Sequence, residues 1–254
     1  MGALEGNNPE EEARVDYRQR IYTHYASKIL ETSQTFDERS SRRLGRARRY
    51  YLRGWLPQDK EAQIVDLGCG AGDLLHFFKE QGFRNIQGVD ISPEQVSLAR
   101  QVTLEVAEGD AIAFLEARRD QFDLICGLEM IEHFHKPEVL RFLDACHAAL
   151  RPGGRLILQT PNADSPWGTM HRYTDFTHEV GLNSGSLSQL MRLVGFETIE
   201  ARETGPGFYS IASTVRYVAW QIIRAGLKMW NVVEMGHAGS GVFTRSFLMC
   251  GVKR

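Results

Sequence analysis

Three stretches of the chain combine residue types and spacings that could do chemistry. The first is Asp66-Leu67-Gly68-Cys69-Gly70-Ala71-Gly72. Its glycines let the backbone turn sharply and approach a ligand without a Cβ in the way. A helix opening behind them would present unpaired N–H groups to a negative or polar atom. Asp90 stands 18 residues after Gly72, where a carboxylate at the end of the next strand can accept hydrogen bonds from two ribose hydroxyls. Taken alone, such a loop is compatible with a simple tight turn. With Asp90, Asp110-Ala111 and Arg151-Pro152-Gly153-Gly154 following in order, coincidence no longer explains it. The G-x-G-x-G spacing differs from the dinucleotide pattern G-x-G-x-x-G, which counts against NAD and FAD.

The second stretch is Glu129-Met130-Ile131-Glu132-His133-Phe134-His135, and the third is Tyr173-Thr174-Asp175-Phe176-Thr177-His178. Histidine titrates near pH ~6.5 and can accept a proton at neutral pH. A carboxylate can orient it and steady the imidazolium that forms. The expectation is therefore His178 as general base, Asp175 supporting it, and His133 in reserve. The bland alternatives are a loop held by its own Asx and Thr hydrogen bonds, and a His133 that only orients its loop. No clustered Asp/Asn set of the kind an octahedral magnesium ion wants is visible, so no metal is expected.

These groups need a scaffold that brings them to one edge. Short apolar runs at Ile64–Asp66, Ile86–Asp90, Val106–Asp110, Phe122–Gly127 and Arg155–Gln159 alternate with helical patterns. Ser92-Pro93-Glu94-Gln95 opens one of these helices with a Ser cap, Pro at the first position and Gln three residues on. This rhythm argues for an α/β, doubly wound, mostly parallel sheet, with its ligand crevice beyond the strand ends at the switch point. The rhythm then breaks: a helix over Ser186–Val194, a strand over Phe196–Glu203, a long apolar-rich helix, and a last strand over Phe243–Val252. No helix separates that strand from the chain end, so it should pair antiparallel.

The domain expectations are a disordered tail over 1–13, an N-terminal helical cap over 14–57, and one domain over 58–254 with a helical insert at about 209–233 between the last two strands. The cap holds two helical patterns. In one, Tyr17, Ile21, Tyr25 and Ile29 share a face; the other carries the arginines of stretch 39–53. That stretch reads as a solvated helix face or as a surface for a phosphate or diphosphate. Tyr17, Tyr22 and Tyr25 read as part of a lid or as core packing.

The four ordered motifs closely resemble class I S-adenosylmethionine-dependent methyltransferases over about residues 50–205 and the last strand. The resemblance implies a Rossmann-like, seven-stranded sheet with an antiparallel last strand and S-adenosyl-L-methionine as cofactor. It implies that Asp66, Gly68 and Gly70, with Cys69 and Gly72 in the same loop, lie at the amino-acid end of that cofactor. Asp90 would hold the ribose and Ile91 would flank the adenine. Asp110 and Ala111 would face the adenine edge, and Glu129 would lie near the methionine portion. The E-x-x-E-H segment resembles small-molecule methyltransferases related to quinone biosynthesis, whereas D-x-T-H resembles a subgroup of polysaccharide and lipopolysaccharide biosynthesis. The (Asn/Asp)-Pro-Pro-(Tyr/Phe) of amino-group methyltransferases is missing, which counts against a nucleobase amine. The favoured acceptor is a sugar hydroxyl on a cell-surface glycan or its precursor, phosphate- or lipid-linked forms included. A quinone or phenol is the rival; an NAD-dependent oxidoreductase and a non-catalytic, cofactor-binding partner subunit are rivals from other classes.

Composition fits this reading. The 254 residues are 43% hydrophobic and 24% charged with net charge −2, so nothing calls for nucleic acid. Charge is uneven: residues 1–60 carry +3, 61–200 carry −10 and 201–254 carry +5. The four cysteines are scattered and the first residues lack an apolar core, so no disulfide framework, metal finger or signal peptide is expected. The expected location is cytoplasmic. The basic end and the aromatics of 209–233 leave peripheral contact with a membrane, or a homodimer, as the insert's partners.

Overall fold

The computed structural model describes Arg18, residues 20–25, Ser27 and residues 35–254. The tail over 1–13 lies outside the described residues, as do Tyr17 and Ile29; Arg18 and residues 20–22 are helical.

β1 (Ile64–Leu67) is buried at every position and lies between β2 (Ile86–Asp90) and β4 (Phe122–Leu128). Continuous apolar runs are what strands covered on both faces require. β3 (Val106–Glu108), β5 (Leu150–Pro161), β6 (Phe196–Glu203) and β7 (Ser246–Lys253) complete a seven-stranded sheet of order β3-β2-β1-β4-β5-β7-β6. The pairs from β3 through β5 are parallel, and β7 runs antiparallel to both β5 and β6. Strand order reverses between β1 and β4, which opens the crevice at their carboxyl ends.

The helices are α1 (Glu38–Tyr51), α2 (Asp73–Glu80), α3 (Pro93–Ala99), α4 (Ala111–Glu116), α5 (Lys136–Ala149), α6 (Gly168–Thr174), α7 (Ser184–Leu193) and α8 (Ile211–Met235). One core centres on Leu67, Ile125, Phe142 and Phe247, the other on Ile64, Phe78, Leu124 and Leu248. Ser92 caps α3 as the sequence expects, accepting from the Gln95 N–H. α1 lies over α2, with the Ser41 hydroxyl 3.2 Å from His76 Nδ1. Arg48 turns inward and donates to the Asp73 carbonyl at 2.7 Å, whereas Arg39, Arg42, Arg43, Arg46, Arg49 and Arg53 are exposed. The arginine stretch is thus mainly a solvated face.

The helices expected over Ser186–Val194 and 209–233 run over Ser184–Leu193 and Ile211–Met235, and two strand boundaries differ for a visible reason. The Arg151–Gly154 turn lies inside β5, because Phe122 pairs with Leu150 and Leu124 with Arg155, so the turn residues bulge from the ladder. β7 begins at Ser246 rather than Phe243. The Phe243 N–H donates instead to Glu203 Oε1 at 2.8 Å, a side-chain bond that takes it off the ladder.

Candidate active site

The loop after β1 takes the left-handed backbone that only glycine adopts freely, with φ of 62° at Gly68 and 53° at Gly70. Asp90 Oδ2 accepts from the Gly70 N–H and Oδ1 from the Ser92 N–H, each at 2.8 Å. The carboxylate therefore ties the loop to the end of β2. Burial raises its pKa, opposed by those N–H donors. Gly88 in β2 makes room for the loop: a Cβ there would meet Cys69 Sγ at 2.9 Å.

A pocket of about 240 Å3 opens at this edge. Gly68 and Gly70 line it from the loop, Asp90 and Ile91 from the end of β2, and Asp110 and Ala111 from the start of α4. Glu129, Met130, His133 and Phe134 line it beyond β4, and Arg18, Tyr22 and Tyr25 reach it from the N-terminal segment. Asp110 also caps α4, accepting from the Ala113 N–H at 2.8 Å. Glu129 has a φ of 54° and accepts from the Gln159 amide. The paired carboxylate at β2, the half-exposed Ile91 and the loop cradle fit an adenosine and its amino-acid tail.

Three expected loop residues do not reach the wall. Asp66 is 2% exposed, and burial pushes its carboxyl up to about 8 despite the nearby Arg48. Cys69 is buried against Gly88. At Gly72, which precedes α2, a Cβ would meet the Ala99 backbone at 3.1 Å. These residues support the loop from behind.

The histidine cluster also differs from the expected pairing. The Asp175 carboxylate turns to Thr177, accepting its N–H at 2.8 Å and its hydroxyl at 2.6 Å, while Oδ2 accepts from Tyr25 at 2.9 Å. The Thr177 hydroxyl lies 2.8 Å from His133 Nδ1, so with its proton on Asp175 it accepts the Nδ1–H. Asp175 thus supports His133 rather than His178. His178 Nδ1 lies 2.9 Å from the His171 carbonyl, and Nε2 lies 3.9 Å from Glu132 Oε1. Burial and the His178 charge lower His133 to about 4, so its imidazole is neutral at physiological pH. Burial and Glu129 raise the Glu132 carboxyl well above the carboxylate range. His178 lines an adjoining pocket of about 270 Å3 with Glu132, Arg172 and Tyr173.

Glu132, His133 and His178 place one donor atom each within 4.8 Å of one another, and Glu132 Oε1 is buried with no hydrogen-bond partner among the described residues. The sequence leads to no metal; these three donors are the one grouping of nitrogen and oxygen ligands among the described residues that a divalent cation would use. Sequence reasoning also missed Arg18, whose guanidinium bonds both Glu138 oxygens and the His133 carbonyl at 2.9 Å. No local pattern announces it. Glu132 stands in a motif that assigns it no role by itself, and only folding brings Thr177 beside His133.

Comparison with known proteins agrees with this geometry. A family model described as "Methyltransferase domain" matches residues 36–201. Ubiquinone biosynthesis O-methyltransferases are similar to this chain: that of Xylella fastidiosa is 36% identical over 107 residues, 40% of this chain and 42% of that protein. The Pseudomonas aeruginosa protein is 31% identical over 106 residues, 39% of this chain and 44% of that protein. The match thus spans less than half the length of these relatives. Among solved structures, a SAM-dependent methyltransferase from Archaeoglobus fulgidus superposes with a TM-score of 0.63 at 21% identity, covering 91% of this chain and 99% of that one. A Haemonchus contortus phosphoethanolamine N-methyltransferase 2 in complex with S-adenosyl-L-methionine gives 0.56 at 18% identity, over 80% of this chain and 51% of that one. The chain belongs to the methyltransferase domain family, and S-adenosylmethionine is the cofactor its pocket fits.

Proposed function

We propose that the protein transfers a methyl group from S-adenosylmethionine to the hydroxyl of a quinone-type or phenolic small molecule. The observation that carries this reading is His133 on the pocket wall, its Nδ1 within 2.8 Å of the Thr177 hydroxyl that is bonded in turn to Asp175. The cofactor supplies an electrophilic methyl; the protein must align the acceptor and take its proton. His133 Nε2 takes the hydroxyl proton while oxygen gains the methyl, and Asp175 steadies the imidazolium through Thr177. This order reverses the sequence expectation, in which His178 was the base and His133 the reserve. Asp90 holds the ribose, Ile91 the adenine, and Glu129 the amino-acid end.

The relatives' name, ubiquinone biosynthesis O-methyltransferase, favours a phenolic hydroxyl over the sugar hydroxyl expected from D-x-T-H. Apolar and aromatic groups on the wall (Tyr22, Tyr25, Met130, Phe134) suit a flat ring. The test is uptake of labelled methyl from S-adenosylmethionine into a panel of catechols, quinols, sugar nucleotides and oligosaccharides. Uptake into catechols or quinols is expected; uptake into sugars alone overturns the acceptor, and tight binding of NADH in place of S-adenosylhomocysteine overturns the class.

The Glu132–His133–His178 donor set favours a second reading, in which a divalent cation held there makes the acceptor hydroxyl more acidic. Full activity after dialysis against EDTA removes it. No helix among the described residues is long and apolar enough to cross a membrane.

A further inference from the structure

The family match ends at residue 201, and α8 lies beyond it. This helix is self-contained. The Ser210 hydroxyl accepts from the Ser213 N–H at its start, and Gly236, with a φ of 76°, closes its end. At ~1.5 Å per residue, its 25 residues span about 37 Å.

Its amphipathicity is inverted. The stripe facing the domain is polar or aromatic: Ser213, Tyr217, Trp220, Arg224, Lys228 and Asn231 are buried or half-buried. Ser213 Oγ accepts from the Gly207 N–H at 3.0 Å, the Trp220 indole donates to Glu203, and Arg224 donates to the Gly241 carbonyl at 2.8 Å. The opposite stripe is apolar and faces outward. Ile211, Val215, Val218, Ile222, Ala225, Met229 and Val232 follow one another at steps of four and three, the seam spacing of a coiled coil. The larger of these side chains are between 49% (Val232) and 88% (Ile211) exposed. No charged residue interrupts the seam.

We infer that α8 is a pairing helix through which two copies of this chain associate, helix against helix. Three observations choose this occupant. Beside the seam run Ala212, Ala219 and Gly226, one every seven residues. Such a column of small side chains lets a second helix approach at the short end of the ~8–10 Å packing range. The cations that an anionic lipid surface would need are turned away: Arg224 is tied to Glu203 and Gly241, and the Lys228 stem lies against Gly241. The exposed charges, Arg216 and Glu234, stand 18 residues apart on the side of the helix away from the seam, so a seam-to-seam pair buries neither. Ten exposed apolar side chains, at roughly 60–120 Å2 each when whole, offer on the order of 600 Å2 per copy. That approaches the ~800 Å2 per partner of a specific interface.

The test is sedimentation velocity of the full chain from about 1 to 100 µM, with one further variant probing the geometry. A dimer is expected. Ile222→Glu should give a monomer whose affinity for S-adenosylhomocysteine stays within twofold, since α8 does not line the cofactor pocket, and Ile222→Leu should remain dimeric. All four native cysteines are buried, so a short bis-maleimide should cross-link folded Ala225→Cys, which lies in the seam, to itself. A wild-type monomer across the range overturns the inference, as does a dimer that survives Ile222→Glu. A folded Ala225→Cys that dimerises without cross-linking places the contact off the seam and overturns the inference as well. A monomer that co-floats with vesicles of 30% phosphatidylglycerol in phosphatidylcholine assigns the stripe to lipid instead.

Discussion

Replacing Thr177 with valine tests the proton path directly. Thr177 is 2% exposed, and its hydroxyl takes the His133 Nδ1–H at 2.8 Å while donating to Asp175 at 2.6 Å. Valine keeps the shape and removes both bonds. His133 Nδ1 is then left with the residue 177 carbonyl at 3.3 Å, whereas Asp175 keeps the backbone N–H at 2.8 Å and Tyr25 at 2.9 Å. The lost link connects the imidazole to a charged group, a class of bond worth about 1.5–3 kcal/mol. At ~1.36 kcal/mol per tenfold, full expression in the transition state lowers kcat by about 10- to 150-fold. Affinity for S-adenosylhomocysteine should stay within twofold by calorimetry, because Thr177 is off the pocket wall, and Thr177→Ser should recover most of the rate. A Thr177→Val enzyme with kcat within twofold of the parent refutes the relay. Equal losses in kcat and in affinity make the residue structural.

Asp90→Ala removes the acceptor for ribose hydroxyls and the tie to Gly70, so S-adenosylhomocysteine should bind at least about 10-fold more weakly, the value of one charged hydrogen bond; unchanged affinity by calorimetry refutes the ribose role. Gly68→Ala puts a Cβ at a φ of 62° and 3.2 Å from Met130 Cβ, and the left-handed strain of ~1–2 kcal/mol should appear as a lower Tm together with weaker cofactor binding. Asp66 titrates at about 8 when folded against 3.8 ordinarily. Between those values the folded state therefore binds more protons than the unfolded state, and its stability falls as pH rises. In Asp66→Asn the fall in Tm between pH 5 and pH 9 should shrink; an unchanged fall places the titration elsewhere.

The cofactor side of the site was legible because its signals are local. A glycine loop after an apolar run, an acid ending the next strand and a Ser-Pro helix start each occupy a few consecutive residues, and a parallel sheet carries them to one edge. The histidine cluster was less legible, because the residues that are near in sequence are not the ones the fold bonds together. Asp175 is three residues from His178, but its Asx turn onto the Thr177 N–H directs the carboxylate away from that ring. Thr177 is 44 residues from His133. They meet because the Glu179 and Val180 N–H groups both donate to the Glu132 carbonyl, and because Asn162 bridges Leu182. Side-chain bonds that draw a loop onto a strand end leave no periodic trace in the chain.

The two readings of the acceptor chemistry differ in where one proton sits. Burial raises Glu132 and lowers His133, so the carboxyl holds its proton more tightly than a free one and the ring holds a second proton less tightly. In the proposed reading His133 takes the acceptor's proton and Asp175 is the charge that steadies it. A cation held by Glu132, His133 and His178 requires the carboxylate to be ionised, so loading it must expel a proton. Titration of manganese or zinc into the protein in two buffers of different ionisation enthalpy separates the cases. About one proton released per ion bound, together with activity lost to EDTA and restored by the ion, supports the metal; no saturable binding leaves the histidine to work alone.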